Sequence, residues 1–575
     1  MYATHLIKQA RTAAIRRLTV ASLNRFSLQL TYNNQTVTSS VKILRLSLAV
    51  LPNLATEIKE HIQNLARYIQ KPLSYFLILH LVRHLLMLIQ LLSLVRRFRP
   101  VIFILGVLLL ALAVTMIIPA ILFIAEGKSG WIEFFASAGF TSVIACLCLL
   151  ARWKERITLT ARQMFLLTSL TWIVFSALAA LPLMALEHIS YTDAFFETMS
   201  GVTTTGSTVL SDLENQPDGV LLWRSMLQWM GGIGFIVMAV AILPFLRIGG
   251  MRLFQTESSE WTDKSLPKAS QVAGGITRVY ILLSVACFVA YWLAGMSVFD
   301  AVNHSMTTVS TGGYSTWDSS MGHFMNNPTI QWIGTVFMFL GSLPFVLYVA
   351  FLGKPKKLLR DPQVRGFTGF LLWVIGGLTL WLWTHSQYDL NDSLRLVAFN
   401  VVSVVSTTGY ALGDYTQWGG MAPLTFLLLS CIGGCSGSTA GGIKFFRFQV
   451  SGIIFGGQFR RMLHGNIALS ERYNGHKIDE DIFRSLITFC FFFMLSIAAI
   501  AILMAILGQD LLTSLSAAIT VIGNVGPGIG EVIGPSGNFA SLPDSAKWIL
   551  SMGMLLGRLE ILTVMVMFTK VFWRW

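Results

Sequence analysis

Apolar residues recur along this chain in runs long enough to cross a hydrocarbon core of about 30 Å. They fall at about 101–124, 131–151, 163–186, 219–246, 274–296, 328–353, 366–385, 421–455, 484–508 and 545–570, and predict ten spans. Four connections on one side of that arrangement carry a second, shorter pattern. "DAFFETMSGVTTTG" runs from Asp193 to Gly206, and "DAVNHSMTTVSTGG" from Asp300 to Gly313. "LVAFNVVSVVSTTGY" passes through Gly409, and "TSLSAAITVIGNVGPGIG" runs from Thr513 through Gly526. Apolar runs of about 10–14 residues are too short to span and read as re-entrant segments. Each copy lies between two spans, so the chain reads as a fourfold internal repeat of span, short helix, glycine-containing strand and span. The opening Asp or Thr is read as a helix N-cap. Each short helix then turns its partly negative C-terminal end toward the membrane centre.

Non-helical backbone at membrane depth is tolerated only where protein buries it or it lines a wet cavity. A single "TTTG" reads equally well as a small-residue seam between helices. Four such strands in register, all on one side, point to rings of carbonyl oxygens about one axis, which replace the hydration shell of a monovalent cation. Glycine is expected because carbonyls can aim at an axis only with unusual φ/ψ, which glycine permits. Thr and Ser hydroxyls add neutral oxygens.

Composition agrees with the pattern. The chain is 54% hydrophobic and 12% charged, whereas soluble domains carry about 25% charged residues, so this is an integral membrane protein. The six Cys lack ligand-type spacing with His, which argues against a disulfide framework or zinc site. The net charge of +14 is not spread evenly. Residues 1–100 hold fourteen Lys or Arg against two acids, and the remainder is near balance. That basicity therefore says nothing for nucleic acid. The first 56 residues contain no acid and resemble a transit peptide. Arg83 and His84 make a span over the following apolar stretch costly. Residues 1–98 are read as a basic extension, with 1–86 dispensable or a mis-set start and Met87 the candidate start.

Among the connections, Arg152, Lys154 and Arg156, then Arg247, Arg252, Lys264 and Lys268, then Lys354 to Arg360, then Arg460 to Lys477, all fall on one side. The positive-inside rule makes that side cytoplasmic, together with both termini. Acids from Asp193 and Glu197 to Asp510 and Glu531 gather on the opposite, outward side.

These motifs, with "WMGGIGFIVMAVAILP", "GGCSGSTAGGIK", "NVGPGIGEV" and "GRLEI", resemble the Trk/Ktr/HKT superfamily of potassium transporters, and within it the bacterial TrkH subunits. The resemblance runs from about Arg99 to the end. It implies an all-α membrane protein with two leading helices and four K⁺-channel-like repeats in pseudo-fourfold arrangement. The expected divisions are 99–160 for the leading helices, then 161–265, 266–360, 361–475 and 476–575 for the repeats. Carried onto this sequence, the filter residues are Thr204, Thr205 and Gly206, Thr311, Gly312 and Gly313, Thr407, Thr408 and Gly409, and Asn524, Val525 and Gly526. Gly206, where plant relatives that carry sodium have serine, favours potassium. The fourth strand, with Asn524 and Pro527, is the least like the others. The resemblance implies potassium uptake across the inner membrane, K⁺ as the transported ion and no covalent cofactor. It also implies a homodimer and a cytosolic TrkA-type nucleotide-binding subunit.

"CIGGCSGSTAGGIK" interrupts the second span of the third repeat. Its glycines each cost a helix about 1 kcal/mol relative to Ala, so the stretch reads as a kink or a packing seam. The resemblance gives a sharper expectation: an intramembrane loop at 433–442 that opens or blocks the pore. Its residues are Gly433, Gly434, Ser436, Gly437, Ser438, Gly441 and Gly442, with Lys444 toward the cytoplasmic face. Arg558 lies well inside the last span, where a charge costs several kcal/mol unless it is paired or wet. Pairing with Glu560 is one reading; the favoured one is a pore-facing charge below the filter that holds loop carbonyls. His304 is read as a hydrogen-bonded structural residue. No enzyme motif is present. The alternatives to selective uptake are a less selective Na⁺/K⁺ channel and a non-conducting sensor of the same fold. Passive flow and coupling to protons or sodium are both compatible with the residues.

Overall fold

The computed structural model describes residues 72–150, 159–241, 269–351, 356–464, 470–535 and 537–573, with side chains from residue 98 onward except at 237–241, 269–270, 350–351, 356–357 and 476. The N-terminal extension up to residue 71 lies outside the described residues, as do the basic connections at 151–158 and 242–268.

Two helices lead, Pro72–Ala125 and Trp131–Leu149. Four repeats follow, each with an opening helix, a short pore helix, a non-helical strand segment and a closing helix. The opening helices are Ala161–Glu187, Ala269–Leu293, Pro362–His385 and Glu480–Ile506. The pore helices are Tyr191–Val202, Val298–Val309, Leu390–Val405 and Leu511–Gly523.

The ten predicted spans divide into two physical classes. Among the described residues, six uninterrupted helices are long and apolar enough to cross a membrane, and these are the two leading and four opening helices. They turn Leu282, Trp373 and Ile502 outward, each more than 60% exposed. Polar residues sit inside instead: Thr198, Asn303, Asn400 and Thr520 on the pore helices are all buried. This inverted distribution suits a lipid solvent.

The closing helices differ from the predicted plain spans. The first, Asp218–Ala241, is continuous. The second breaks between Pro328–Gly341 and Phe345–Phe351, at Pro344, a residue without the N–H that helix continuation needs. The third breaks between Met421–Leu429 and Phe445–Leu463. The fourth bends by 111° between Asp544–Arg558 and the short helix beginning at Ile561. Beyond the third closing helix, a two-residue hairpin pairs Arg472 with Lys477 and Tyr473 with His476. Its turn is Asn474–Gly475, both at positive φ, the preferred pair for such a turn.

The pore-helix caps lie three residues ahead of their predicted positions. Ser190, Ser297 and Asp510 cap the first, second and fourth helices, where Asp193, Asp300 and Thr513 were expected. Asp193 and Asp300 instead stand in the first turn. There their amides donate to the cap hydroxyl oxygen and their carboxylates accept from the cap O–H at 2.8 Å. Asp389 caps the third helix. In the exposed turn ahead of the fourth, hydrogen bonds from Thr513, side chain first and then backbone, hold Asp510 below its ordinary carboxylate range.

Candidate ion-conduction site

Each pore helix ends in the same turn. The N–H groups of Thr205, Gly312, Thr408 and Val525 donate five residues back, to Ser200, Thr307, Ser403 and Thr520, at 2.8–2.9 Å. The residue before each is left-handed: Thr204, Thr311, Thr407 and Asn524 have φ between 52° and 57°. This is the Schellman arrangement, usually completed by Gly or Asn. Three of the four repeats place threonine there, and a β-branched residue in this region is strained. Two residues on, Gly206, Gly313, Gly409 and Gly526 return to positive φ. The unusual backbone predicted for glycine alone is thus shared, with Thr or Asn taking the first left-handed position. Asn524 suits that conformation, so the fourth strand keeps the backbone pattern of the others despite its divergent sequence.

The strands face one another in a closed ring. A Cβ on Gly206 would collide with the Gly312 carbonyl oxygen, one on Gly313 with that of Thr408, one on Gly409 with that of Val525, and one on Gly526 with that of Thr205. Repeat one therefore meets two, two meets three, three meets four, and four returns to one. The filter glycines serve both φ and close approach.

In repeats two and three, the Tyr after the glycine fastens the strand to the repeat before it. The Tyr314 hydroxyl, in repeat two, donates to the Glu197 carbonyl of the first pore helix at 2.7 Å. The Tyr410 hydroxyl, in repeat three, meets Thr307 Oγ1 of the second pore helix at 2.5 Å. In repeat one, Ser207 Oγ donates to the Gly526 carbonyl at 2.9 Å. Sequence reading gave Tyr314 and Tyr410 no role. Their signal was the Tyr directly after Gly in both "STGGY" and "STTGY".

Behind the strands stands a buried polar frame. Glu197, predicted among the outward acids, is fully buried and pairs with Arg224 Nε at 2.8 Å. It also accepts from Val209 N–H at 2.8 Å and from the Thr208 hydroxyl. Arg224 donates to the Ser315 carbonyl at 3.2 Å and lies 4.2 Å from the centre of the Tyr314 ring. Asn400 clips both the N–H and the carbonyl of Leu412. His304 bonds the Asp300 carbonyl and Ser315 Oγ, as its structural reading expects. The Asp193 carboxylate meets buried Lys547 of the last closing helix.

The break in the third closing helix is a folded loop, slightly wider than predicted, over residues 430–444. Ile432 and Ile443 bridge its two ends, and Gly433 N–H donates to the Ile443 carbonyl at 2.7 Å. Phe445 N–H donates to the Gly434 carbonyl, and Ser438 Oγ to the Cys435 carbonyl. Ser436 is buried within it, and Gly437 and Gly442 take positive φ. The loop docks on the break in the second closing helix: Phe345 N–H donates to the Gly437 carbonyl and Cys435 N–H to the Ser342 carbonyl. It also reaches the ring, where Gly441 N–H donates to Thr407 Oγ1 at 2.7 Å.

Arg558 holds the loop through one bond, Nη1 to the Thr439 carbonyl at 2.8 Å. Its Nε and Nη2 have no hydrogen-bond partner among the described residues, and its guanidinium lies 4.1 Å from the centre of the Phe235 ring. Glu560 pairs with Arg447 at 2.9 Å, which sets aside the reading that Arg558 pairs with it. Lys444, expected toward the cytoplasmic face, is buried and donates to the Ala440 carbonyl. A cavity of about 10 Å³, bordered by Phe235, Lys444, Arg447, Arg558 and Glu560, lies beside the loop; it has room for about one water.

The family profile described as "TrkH: Cation transport protein" matches residues 132–573. The chain is 47% identical over 481 residues to the Trk system potassium uptake protein TrkI of Halomonas elongata, covering 83% of this chain and 98% of that one. It is 36% identical over 494 residues to the Trk system potassium uptake protein TrkH of Salmonella typhimurium, covering 83% and 99%. The crystal structure of the potassium transporter TrkH from Vibrio parahaemolyticus superposes with a TM-score of 0.77 at 33% identity, covering 83% of this chain and all of that one. A closed ring of four strand turns, carried by four membrane repeats and matched over this length, identifies the chain as a member of the TrkH family of cation transport proteins.

Proposed function

We propose that this protein takes up potassium ions across the inner (plasma) membrane through the ring formed by its four strands. The observation that carries the reading is the cyclic contact of Gly206, Gly313, Gly409 and Gly526 with the next strand's carbonyls. Uncharged backbone and hydroxyl oxygens from Thr204 to Gly206, Thr311 to Gly313, Thr407 to Gly409 and Asn524 to Gly526 replace water around the ion and still release it. The pore helices direct their partly negative ends toward it. The loop from Gly433 to Gly442, held by Arg558, is the gate beneath the ring. The basic connections face the cytoplasm, with both termini, and receive a cytosolic TrkA-type nucleotide-binding subunit on a homodimer. Residues 1–86 are dispensable for transport.

The test is growth of a potassium-uptake-deficient cell at low external potassium. The full chain and a chain beginning at Met87 are expected to restore growth, and Gly409→Asp to abolish the rescue. Full rescue by Gly409→Asp would overturn the filter reading. Equal sodium and potassium flux would make the protein a less selective channel. A folded protein without flux would be a sensor.

A further inference from the structure

Gln228 lies on the closing helix of repeat one, and it is fully buried. Its side-chain amide grips the strand of repeat two from both ends. Nε2 donates to the Gly312 carbonyl at 2.6 Å, and Oε1 accepts from the Tyr314 N–H at 3.0 Å. The second bond fixes which way the amide faces, since only its oxygen can accept. Gly313, a ring glycine, is held between the two points.

The residue gripped is itself unusual. At this position the four strands carry Thr205, Gly312, Thr408 and Val525, so only repeat two lacks a Cβ. Conformation does not require glycine here, because Gly312 is outside the left-handed region. Space does: the three atoms nearest to a Cβ on Gly312 all belong to the Gln228 amide. Among the described residues, no side chain donates to the carbonyls of Thr205, Thr408 or Val525. One of four equivalent carbonyls is therefore tethered by a neutral amide donor, and Gly312 exists to admit it.

We infer that Gln228 is a positioning residue for ion selectivity, paired with Gly312. A smaller cation is accommodated only if the surrounding carbonyls close inward. The Gln228 amide holds the Gly312 carbonyl back, so strand two cannot follow a sodium ion. This rests on the proposed potassium conduction, and the experiment separates the two.

Potassium and sodium fluxes of the full-length protein are measured in proteoliposomes. Gln228→Met fills the space without either bond. Gln228→Leu likewise offers neither bond and carries the test if the Met variant misfolds. Both are expected to keep potassium flux and to lower the K⁺/Na⁺ ratio about tenfold, the scale of one lost buried hydrogen bond. Gly312→Ala alone is expected to abolish flux, and Gly312→Ala with Gln228→Ala to regain it with a low ratio. An unchanged ratio in either Gln228 variant, or wild-type flux from Gly312→Ala with Gln228 intact, overturns the pairing. A wild-type protein without potassium flux overturns the conduction reading instead, and this inference with it.

Discussion

Gly441 of the intramembrane loop donates its backbone N–H to Oγ1 of Thr407, the left-handed residue of the third strand, at 2.7 Å. One hydrogen bond thus joins the loop to a strand of the ring. Thr407→Val keeps the branched shape and removes the acceptor, leaving a buried amide unpaired at a cost of about 1–3 kcal/mol. If the loop closes the pathway, basal potassium flux in proteoliposomes rises about tenfold. Thr407→Ser, which keeps the hydroxyl, leaves it at the wild-type level. Equal flux in the Val and Ser variants would show that the bond does not hold the loop.

Arg558 secures the other side of the loop through the Thr439 carbonyl and places a buried positive charge beside it. Hydrogen bonds to charged groups contribute about 1.5–3 kcal/mol, so Arg558→Gln is expected to raise basal flux at least about tenfold. If the proposed gate is right, removal of a cationic barrier adds to the gain. A flux assay comparing Arg558→Gln with Arg558→Lys separates them, since Lys restores the charge without the planar donor geometry. Wild-type flux in the Gln variant would remove Arg558 from the gate.

Glu197 and Arg224 form a fully buried pair behind strands one and two. Removing one partner strands the other charge in a dry interior, at a cost of about 3–5 kcal/mol. Glu197→Gln is therefore expected to lower the thermal unfolding temperature of the purified protein clearly. Glu197→Gln combined with Arg224→Met is expected to cost less than the two single changes added together. Strict additivity would mean the pair is not coupled.

Much of this was legible in the chain. Apolar runs and re-entrant segments follow from the bilayer's thickness, and the glycines at 206, 313, 409 and 526 recur in every copy. The loop was legible because so many glycines cannot continue a helix. The caps slipped by one turn because Asp at the third helical position and Asp at the cap carry the same local signal. The burial of Glu197 was not legible because its partner, Arg224, is 27 residues away in the chain.

Sequence alone determined that the chain belongs in lipid, that it repeats four times, and that glycine marks each strand, because local periodicity and backbone sterics act within a few residues. Only the tertiary structure decided which charge meets which. It put Lys444 inside and gave Glu560 to Arg447, leaving Arg558 with the loop. It also explained Gly312 by Gln228, 84 residues away. The physical reason is that burial of charge and collision of backbones depend on neighbours brought together by the ring, and no window along the sequence contains them.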